Sequence, residues 1–481
     1  MERIRLNRHL DWVIWGVISV IAGVYNYLFY RFSISPDDWF NLNIGRYIVE
    51  HRAFPVLDQF TWLGVEKQLQ MTNYQWLYQV LLYASHRLAG WTAENIAISV
   101  LATMTYLLLF FYVRQRSGSR RVALMVGTSV IFVGLFLDTL TIFPRPQSLI
   151  IFLILLQLII LESGRRRWLL IPVFMLALNI HAGMWPILVM VSLPYVISRP
   201  RLWWAAGLPV LLLLLTPGPL ANFLLPFRFA AAQRGIDFIA EWRPFWISLG
   251  SSWEIGLAAA VFGFMLFLII LNLRRRCYFE SVLFIFYLLL WCTALRYLVL
   301  PVFFAIPYLS SNLSTLLSRP PVRRMFIYLP SMMAFLMLLN CFYILLPRNQ
   351  NILRHSDLAV EGTAYAPGII TYMRKHSIDR YYNESFSVGG WLSYNGLPPM
   401  YDNRTEIYLP DANSRRYDYL SEMASNLKDR SGTIRFLRSY GIRYVLTDNS
   451  ENIFQPNGYL ERDTTRILYR EGSYMLLEIE R

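Results

Sequence analysis

Two adjacent carboxylates, Asp37 and Asp38, and a third at Asp58 stand in one polar stretch, SPDDWFNLNIGRYIVEHRAFPVLDQF (35–60), directly after the first apolar segment. A carboxylate beside a bilayer is costly unless it is hydrated, paired or used. Used as a general base, it takes the proton of a hydroxyl that attacks another centre. A second set of polar residues sits at the ends of later apolar segments: Arg145 and Gln147 in PRPQ, Asn179 and His181 in NIHAG, Arg243 in EWR, and Arg296 between two apolar runs. Cations and hydrogen-bond donors in such places suit the binding and stabilisation of an anionic group. Asp37 and Asp38 are therefore the catalytic candidates. Asp58, Arg145, Gln147, Asn179, His181, Arg243 and Arg296 are the substrate-binding candidates, with metal or acceptor contact as the role open to Asp58. The residues call for no cofactor and define no metal ligand set, although a divalent metal is compatible with the carboxylates.

Each of these residues also has a plainer role. Asp37 and Asp38 precede a helix, where Asp is a favoured N-cap, and Asp58 in a Pro-bounded loop suits an Asx-turn. Arg145, between two prolines, suits a snorkelling position at a membrane interface. Asn179 and His181 suit an interhelical hydrogen bond, and Arg296 suits an ion pair with a residue such as Glu241. Asp402, Arg404 and Glu406 read as a local ion-pair turn.

The elements that must position these residues are mostly membrane segments. The chain has 481 residues, 56% hydrophobic and 16% charged, with 15 Trp, 30 Tyr and 31 Phe; soluble domains carry about 25% charged residues. The net charge of +14 raises nucleic acid as a partner, but the basic residues cluster between apolar segments, so no nucleic acid is expected. Cys277, Cys292 and Cys341 show neither metal-site nor disulfide spacing. Apolar runs of roughly spanning length fall near 11–31, 94–113, 122–143, 147–162, 168–182, 185–198, 202–216, 253–273, 279–296, 297–317 and 325–346. The pair 168–198 reads either as two short spans or as one kinked segment. With Arg3, Arg5 and Arg8 in the cytoplasm, the arginine-dense connections at 114–121, 165–167, 199–201, 274–276 and 319–324 all fall on the same side, as the positive-inside rule requires.

That orientation places the first loop (32–93) and everything after 347 outside. Within the loop, Phe40, Ile44, Tyr47 and Ile48 recur opposite Asn41, Asn43, Arg46 and Glu50. Tyr74, Leu77, Leu81 and Leu82 recur likewise up to Gly90. Both stretches read as amphipathic helices on the outer membrane face. Residues 1–346 are thus a polytopic all-α membrane bundle of about eleven spans, and 347–481 a soluble extracytoplasmic α/β domain. Its expected elements are helices at 365–376 and 432–440, strands at 380–382 and 442–447, and a hairpin of 467–469 with 474–479.

The stretch 35–62 resembles the first outer loop of the GT-C glycosyltransferase superfamily, specifically a bacterial branch in which Asp, paired aromatics, Gly-Arg, Pro and Asp recur; here these are Asp37, Trp39, Phe40, Gly45, Arg46, Pro55 and Asp58. The resemblance extends through NYQWLYQVLLY (73–83), PRPQ, NIHAG, VGGWL (388–392) and MYDNRTEIY (400–408), and so covers nearly the whole chain. Asn41 departs from it, standing where that branch leads us to expect histidine. The resemblance implies a sugar donor carried on polyprenyl phosphate, Asp37 as base, and an extracytoplasmic acceptor that is a cell-envelope glycan, lipid or protein. The chemistry agrees, since nucleotide sugars are not supplied on the outer side. Membrane lipids are the remaining expected partners. Two other functions compete: a lipid-carrier flippase or transporter, disfavoured by the absence of an inverted repeat, and a non-catalytic envelope-assembly protein that keeps the fold.

Overall fold

In the computed structural model the described residues are 2–30, 35–136, 145–231, 244, 252–313, 320–345, 366–410, 416–427, 430–447, 460 and 465–479. The chain runs through α1 (Glu2–Tyr30), α2 (Pro36–His51), α3 (Trp62–Lys67), α4 (Trp76–Ser117), α5 (Arg120–Phe136), α6 (Pro146–Ser163), α7 (Leu170–Ile180), α8 (Trp185–Ser198), α9 (Trp203–Leu212) and α10 (Pro219–Ala231). It continues through α11 (Ser252–Arg274), α12 (Tyr278–Thr293), α13 (Ile306–Leu309), α14 (Pro320–Leu345) and α15 (Pro367–Lys375). The last elements are β1 (Tyr381–Asn383), α16 (Gly389–Tyr394), α17 (Tyr419–Asn426), α18 (Arg430–Ser439), β2 (Tyr444–Thr447), β3 (Thr465–Glu471) and β4 (Tyr474–Ile479).

These elements form two compact units, Met1–Tyr30 with Trp91–Asn349, and Arg31–Gly90 with Gln350–Arg481. The boundary at residue 90 has a local cause. Helix α4 bends where Ala89 (φ −156°, ψ 36°) and Gly90 (φ 56°, ψ −147°) leave the helical region, and glycine takes positive φ without steric cost.

In the helical unit, three described helices are long and apolar enough to cross a membrane: α4, α6 and Ile255–Arg274 within α11. Other apolar helices run 10–17 residues. Prolines stand inside several helices, Pro194 in α8, Pro209 in α9 and Pro226 in α10, each removing an amide donor and crowding the preceding turn. The segment 168–198 is two legs rather than one: α7 stops at His181, whose φ of −159° and ψ of 89° break the helix, and α8 turns back along α6, where Gln157 donates to the Leu188 carbonyl (2.8 Å) and the Ser192 hydroxyl (2.9 Å).

Four of the arginine-dense connections gather at one end of this unit. Arg116 at the end of α4 pairs with Glu162 at the end of α6 (3.1 Å) and donates to the Tyr308 carbonyl. The Tyr308 hydroxyl donates to Glu280 (2.9 Å), just past the 274–276 arginines, and Ser198 at the end of α8 donates to the same carboxylate (2.7 Å).

The second unit mixes helix and sheet. Its α2 opens with a capping box in which the Ser35 side chain accepts backbone N–H and the Asp38 carboxylate accepts the Ser35 N–H (2.9 Å), with Pro36 in the first turn. The polar side of α2 is not turned to water as the periodicity suggests. Asn41 and Asn43 are 2% and 4% exposed, held by Gln79 donating to Asn41 (2.9 Å) and by Asn43 donating to Ser393 (2.8 Å). Gly45 lets α4 approach: a Cβ there would stand 2.0 Å from the Gln79 carbonyl oxygen.

The sheet has the order β1-β2-β4-β3, with β1 and β2 parallel and the other pairs antiparallel. The parallel pair needs a crossover, which α16, α17 and α18 occupy in sequence. Val445, Leu446, Leu476 and Leu477 on the two central strands are buried as its core. The expected helix at 365–376 is α15, the expected strand at 380–382 is β1 moved by one residue, and the hairpin turns on Gly472 (φ 59°). The sequence hides α16, because it opens on two glycines, poor helix formers. Packing accounts for them: a Cβ on Gly390 would lie 2.9 Å from the Phe40 nitrogen, and one on Gly389 would lie 2.3 Å from the Tyr401 carbonyl oxygen.

Candidate functional site

Charge concentrates in the second unit where the segment around Asp58 meets 402–408. Asp58 Oδ1 accepts the Phe60 N–H (3.1 Å) and Oδ2 accepts the Thr61 hydroxyl, which is the Asx-turn. Arg404 adds an ion pair to Asp58 Oδ1 (2.8 Å). The same guanidinium holds Asp402, with Nε 3.0 and 2.8 Å from its two oxygens. Side-chain exposure is 2% for Arg404 and 0% for Asp58 and Asp402.

One guanidinium between two carboxylates leaves a net negative charge, and burial pushes the Asp402 carboxyl up against the opposing pull of Arg404. Buried ions cost several kcal/mol each unless fully paired and hydrogen-bonded. Here the Tyr408 hydroxyl also donates to Asp402 (3.3 Å) and the Arg404 N–H bonds to the same oxygen (3.1 Å). With no exposure and partners on both oxygens, Asp58 is placed as an anchor of its loop rather than as a group facing a ligand. Gly64 makes room for it, since a Cβ there would stand 1.9 Å from Asp58 Oδ2.

The local ion-pair turn expected at 402–406 is thus half of the arrangement. Glu406 instead accepts the Tyr74 hydroxyl (3.1 Å). Burial pushes the Glu406 carboxyl up to about 7, opposed by a backbone hydrogen bond, by the charge of Arg404 and by the Tyr74 bond. A water-sized cleft beside it is lined by Phe40, Ile44, Tyr74, Gln79 and Arg404.

The two adjacent carboxylates have different surroundings. Ser35, not either aspartate, is the N-cap of α2; Asp38 is 1% exposed and its Oδ2 is committed to the capping box. Asp38 is accordingly a capping residue in this geometry, and the catalytic expectation narrows to Asp37. Asp37 is half-buried at the start of α2, and its Oδ1 accepts the side-chain amide of Asn403 at 3.3 Å. Asn41 donates to the Asp37 backbone carbonyl (2.9 Å), so the residue standing in the histidine's place fixes backbone rather than moving a proton.

Sequence reasoning missed Asn403, Tyr74 and the long-range half of the Arg404 pairing. The available signal was a charged run, Asp-Asn-Arg-Thr-Glu, framed by the apolar pairs Met400-Tyr401 and Ile407-Tyr408. Among the described residues no three His, Cys, Asp or Glu side chains gather as a metal-ligand set.

The remaining candidates belong to the helical unit. Arg145 is the N-cap residue of α6 (φ −130°, ψ 150°) and Gln147 lies in its first turn. Asn179 and His181 close α7, 8% and 7% exposed, with Asn179 donating to the Met175 carbonyl (2.8 Å). Because α6 and α7 are joined by the tight turn at 164–166, the start of α6 and the end of α7 both point away from the arginine-dense end. Beside His181, Trp185 stacks on Phe223 with centroids 5.1 Å apart and donates to its carbonyl (3.2 Å). Arg296 lies in the 3₁₀ turn Leu295–Leu298; its side chain, and Arg243 as a whole, lie outside the described residues.

No protein-family model matches this chain, and no curated protein matches it. Among solved structures it is similar to the archaeal oligosaccharyltransferase AglB from Archaeoglobus fulgidus, determined in complex with an inhibitory peptide and a dolichol-phosphate. The TM-score is 0.56 at 13% identity, over 92% of this chain and 69% of that one. The likeness takes in both the helical unit and the mixed unit, and the chain has the GT-C fold.

Proposed function

We propose that this protein is a membrane glycosyltransferase that moves a sugar from a polyprenyl-phosphate donor to an acceptor on the outer face, with Asp37 as the general base. The observation that carries this reading is the contrast at the start of α2: Asp38 is closed into a capping box while Asp37 keeps a half-buried carboxylate held by Asn403. The fold gives it context, since the similar archaeal protein is an oligosaccharyltransferase bound to a dolichol-phosphate.

In the proposed step the acceptor hydroxyl or amide loses its proton to an Asp37 oxygen as its heteroatom bonds to the anomeric carbon. The bond from that carbon to the phosphate oxygen breaks, and the polyprenyl phosphate leaves with the electron pair. A positioned base of this kind contributes about 10²–10⁴-fold. Arg145, Gln147, Asn179, His181, Arg243 and Arg296 are our candidates for the phosphate, because charge-assisted bonds to a departing oxyanion strengthen as its charge develops. Asp58 acts through structure, holding the Arg404 guanidinium next to Asn403. In this reading the N-terminus is cytoplasmic and the C-terminal segment lies outside, so donor and acceptor meet where nucleotide sugars are absent.

A deletion strain tests the proposal. Its lipid extract should accumulate a polyprenyl-linked sugar and its envelope should lack one glycan or glycan modification. Wild type should restore both, and Asp37→Asn at equal abundance neither. An unchanged lipid and glycan profile in the deletion strain removes the activity.

A further inference from the structure

Asn403 joins the start of α2 to the buried charge triad of the second unit. It sits between Asp402 and Arg404, whose side chains are locked to each other and, through Arg404, to Asp58 (2.8 Å). Its backbone is held on both sides: the Arg404 N–H bonds to Asp402 Oδ1 (3.1 Å) and the Thr405 N–H to the Asn403 carbonyl (2.9 Å). From that fixed point its side-chain amide reaches Asp37 Oδ1 at 3.3 Å, across 366 residues of sequence. A carboxylate only accepts, so the amide must present its NH₂ there.

We propose that Asn403 is a positioning residue for Asp37, and that the Asp58–Arg404–Asp402 triad is the brace that aims it. The inference rests on the reading of Asp37 as the base. The donated bond does two things. It fixes the orientation of the carboxylate, and it favours the ionised form, which a base must hold near neutral pH. A charged side chain could do this more strongly, but a cation at hydrogen-bond distance would weaken the base; a neutral amide orients it at smaller cost in basicity. The titratable and charged groups near Asp37 include Asp38 on the same helix, Tyr74, Glu406 bonded to Tyr74, and Arg404.

The test reads the acidity of Asp37 without needing the sugar or acceptor. Full-length protein in detergent is labelled with a water-soluble carbodiimide and glycinamide across pH, and modification at Asp37 is read by peptide mass spectrometry. Only the protonated carboxyl reacts, so labelling falls as Asp37 ionises. In Asn403→Ala the midpoint should move up by roughly half a pH unit or more, and in Asn403→Asp further, since a second carboxylate then faces the first. Asn403→Ser, which keeps a shorter donor, should fall between wild type and alanine. Asp58 and Asp402 should stay unlabelled in every variant, which reports an intact brace; should the alanine variant expose them, the serine and aspartate variants decide. Coincident Asp37 profiles in wild type and the folded variants overturn the proposal. The outcome is separable from the enzymatic reading: if Asp37→Asn transfers sugar normally, the base assignment fails whatever the labelling shows.

Discussion

Replacing Arg404 with methionine probes the brace most severely. The guanidinium is 2% exposed between two carboxylates that are 0% exposed, and methionine fills similar volume with no charge. Asp58 and Asp402 would then face each other, buried and without a cation. Breaking a buried ion pair by removing one partner costs about 3–5 kcal/mol. In a cooperative unit of roughly 190 residues each kcal/mol moves the melting point by about 2–4 °C, so the unit should melt roughly 6–20 °C lower. The assay is thermal unfolding of full-length protein in detergent, followed by tryptophan fluorescence and by protection of the 31–90 and 366–479 segments from trypsin. Adding Asp58→Asn and Asp402→Asn to the variant removes both stranded charges and should recover most of the loss. A single variant that melts within about 2 °C of wild type, or a triple variant no better than the single, would refute the reasoning.

Three further predictions concern other parts of the chain. Glu406 has its carboxyl raised from 4.5 to about 7 in the folded state, so folding favours the protonated form. The resulting penalty is absent below 4.5, grows as pH rises from 4.5 to 7 and is constant above; it reaches at most about 3 kcal/mol at 1.36 kcal/mol per unit. Glu406→Gln should therefore melt higher than wild type at pH 8 and equally at pH 4.5, and a pH-independent difference would contradict this. Gly45→Ala drives a methyl group into the Gln79 carbonyl and should destabilise the second unit by about 1–3 kcal/mol or more, seen as faster trypsin cleavage within 31–90; unchanged cleavage would show the approach of α4 to be looser than described. A C-terminal alkaline phosphatase fusion should be active and a C-terminal cytoplasmic fluorescent reporter dark, because the positive-inside rule assigns the arginine-dense connections to the cytoplasmic side; the opposite pair of results would invert the topology.

How much of this was legible in the sequence depends on the range of the interactions. Composition disclosed the apolar helices, because hydropathy is a local signal. The Gly90 break and the β3–β4 hairpin were equally local, whereas the N-cap of α2 proved to be Ser35 rather than either aspartate. The span count was harder to read, since many apolar runs form helices of only 10–17 residues, with breaks such as that at His181. The face of α2 was misread: Asn41 and Asn43 look solvent-bound by pattern, yet Gln79 and Ser393 satisfy them inside the unit. Arg404 looked like a local turn for the same reason. Its partner Asp58 lies 346 residues away, and no periodicity encodes such a pairing. Motif glycines carried the one long-range hint, because Gly45, Gly389 and Gly390 each mark a place where another backbone or side chain comes too close for a Cβ.

The central claim is that the Asp37 carboxylate performs the chemistry, and one comparison addresses it directly. Membranes containing equal amounts of wild type, Asp37→Asn and Asp38→Asn are supplied with a labelled polyprenyl-phosphate sugar, and label entering the acceptor fraction is followed with time. Asparagine preserves shape at position 37 and an acceptor for the Ser35 N–H at position 38, so all three proteins should fold alike. Asp37→Asn should transfer about 10²–10⁴-fold more slowly, and Asp38→Asn should stay within about threefold of wild type, as expected for a cap that asparagine can replace. Transfer by Asp37→Asn at the wild-type rate would remove this carboxylate from the mechanism.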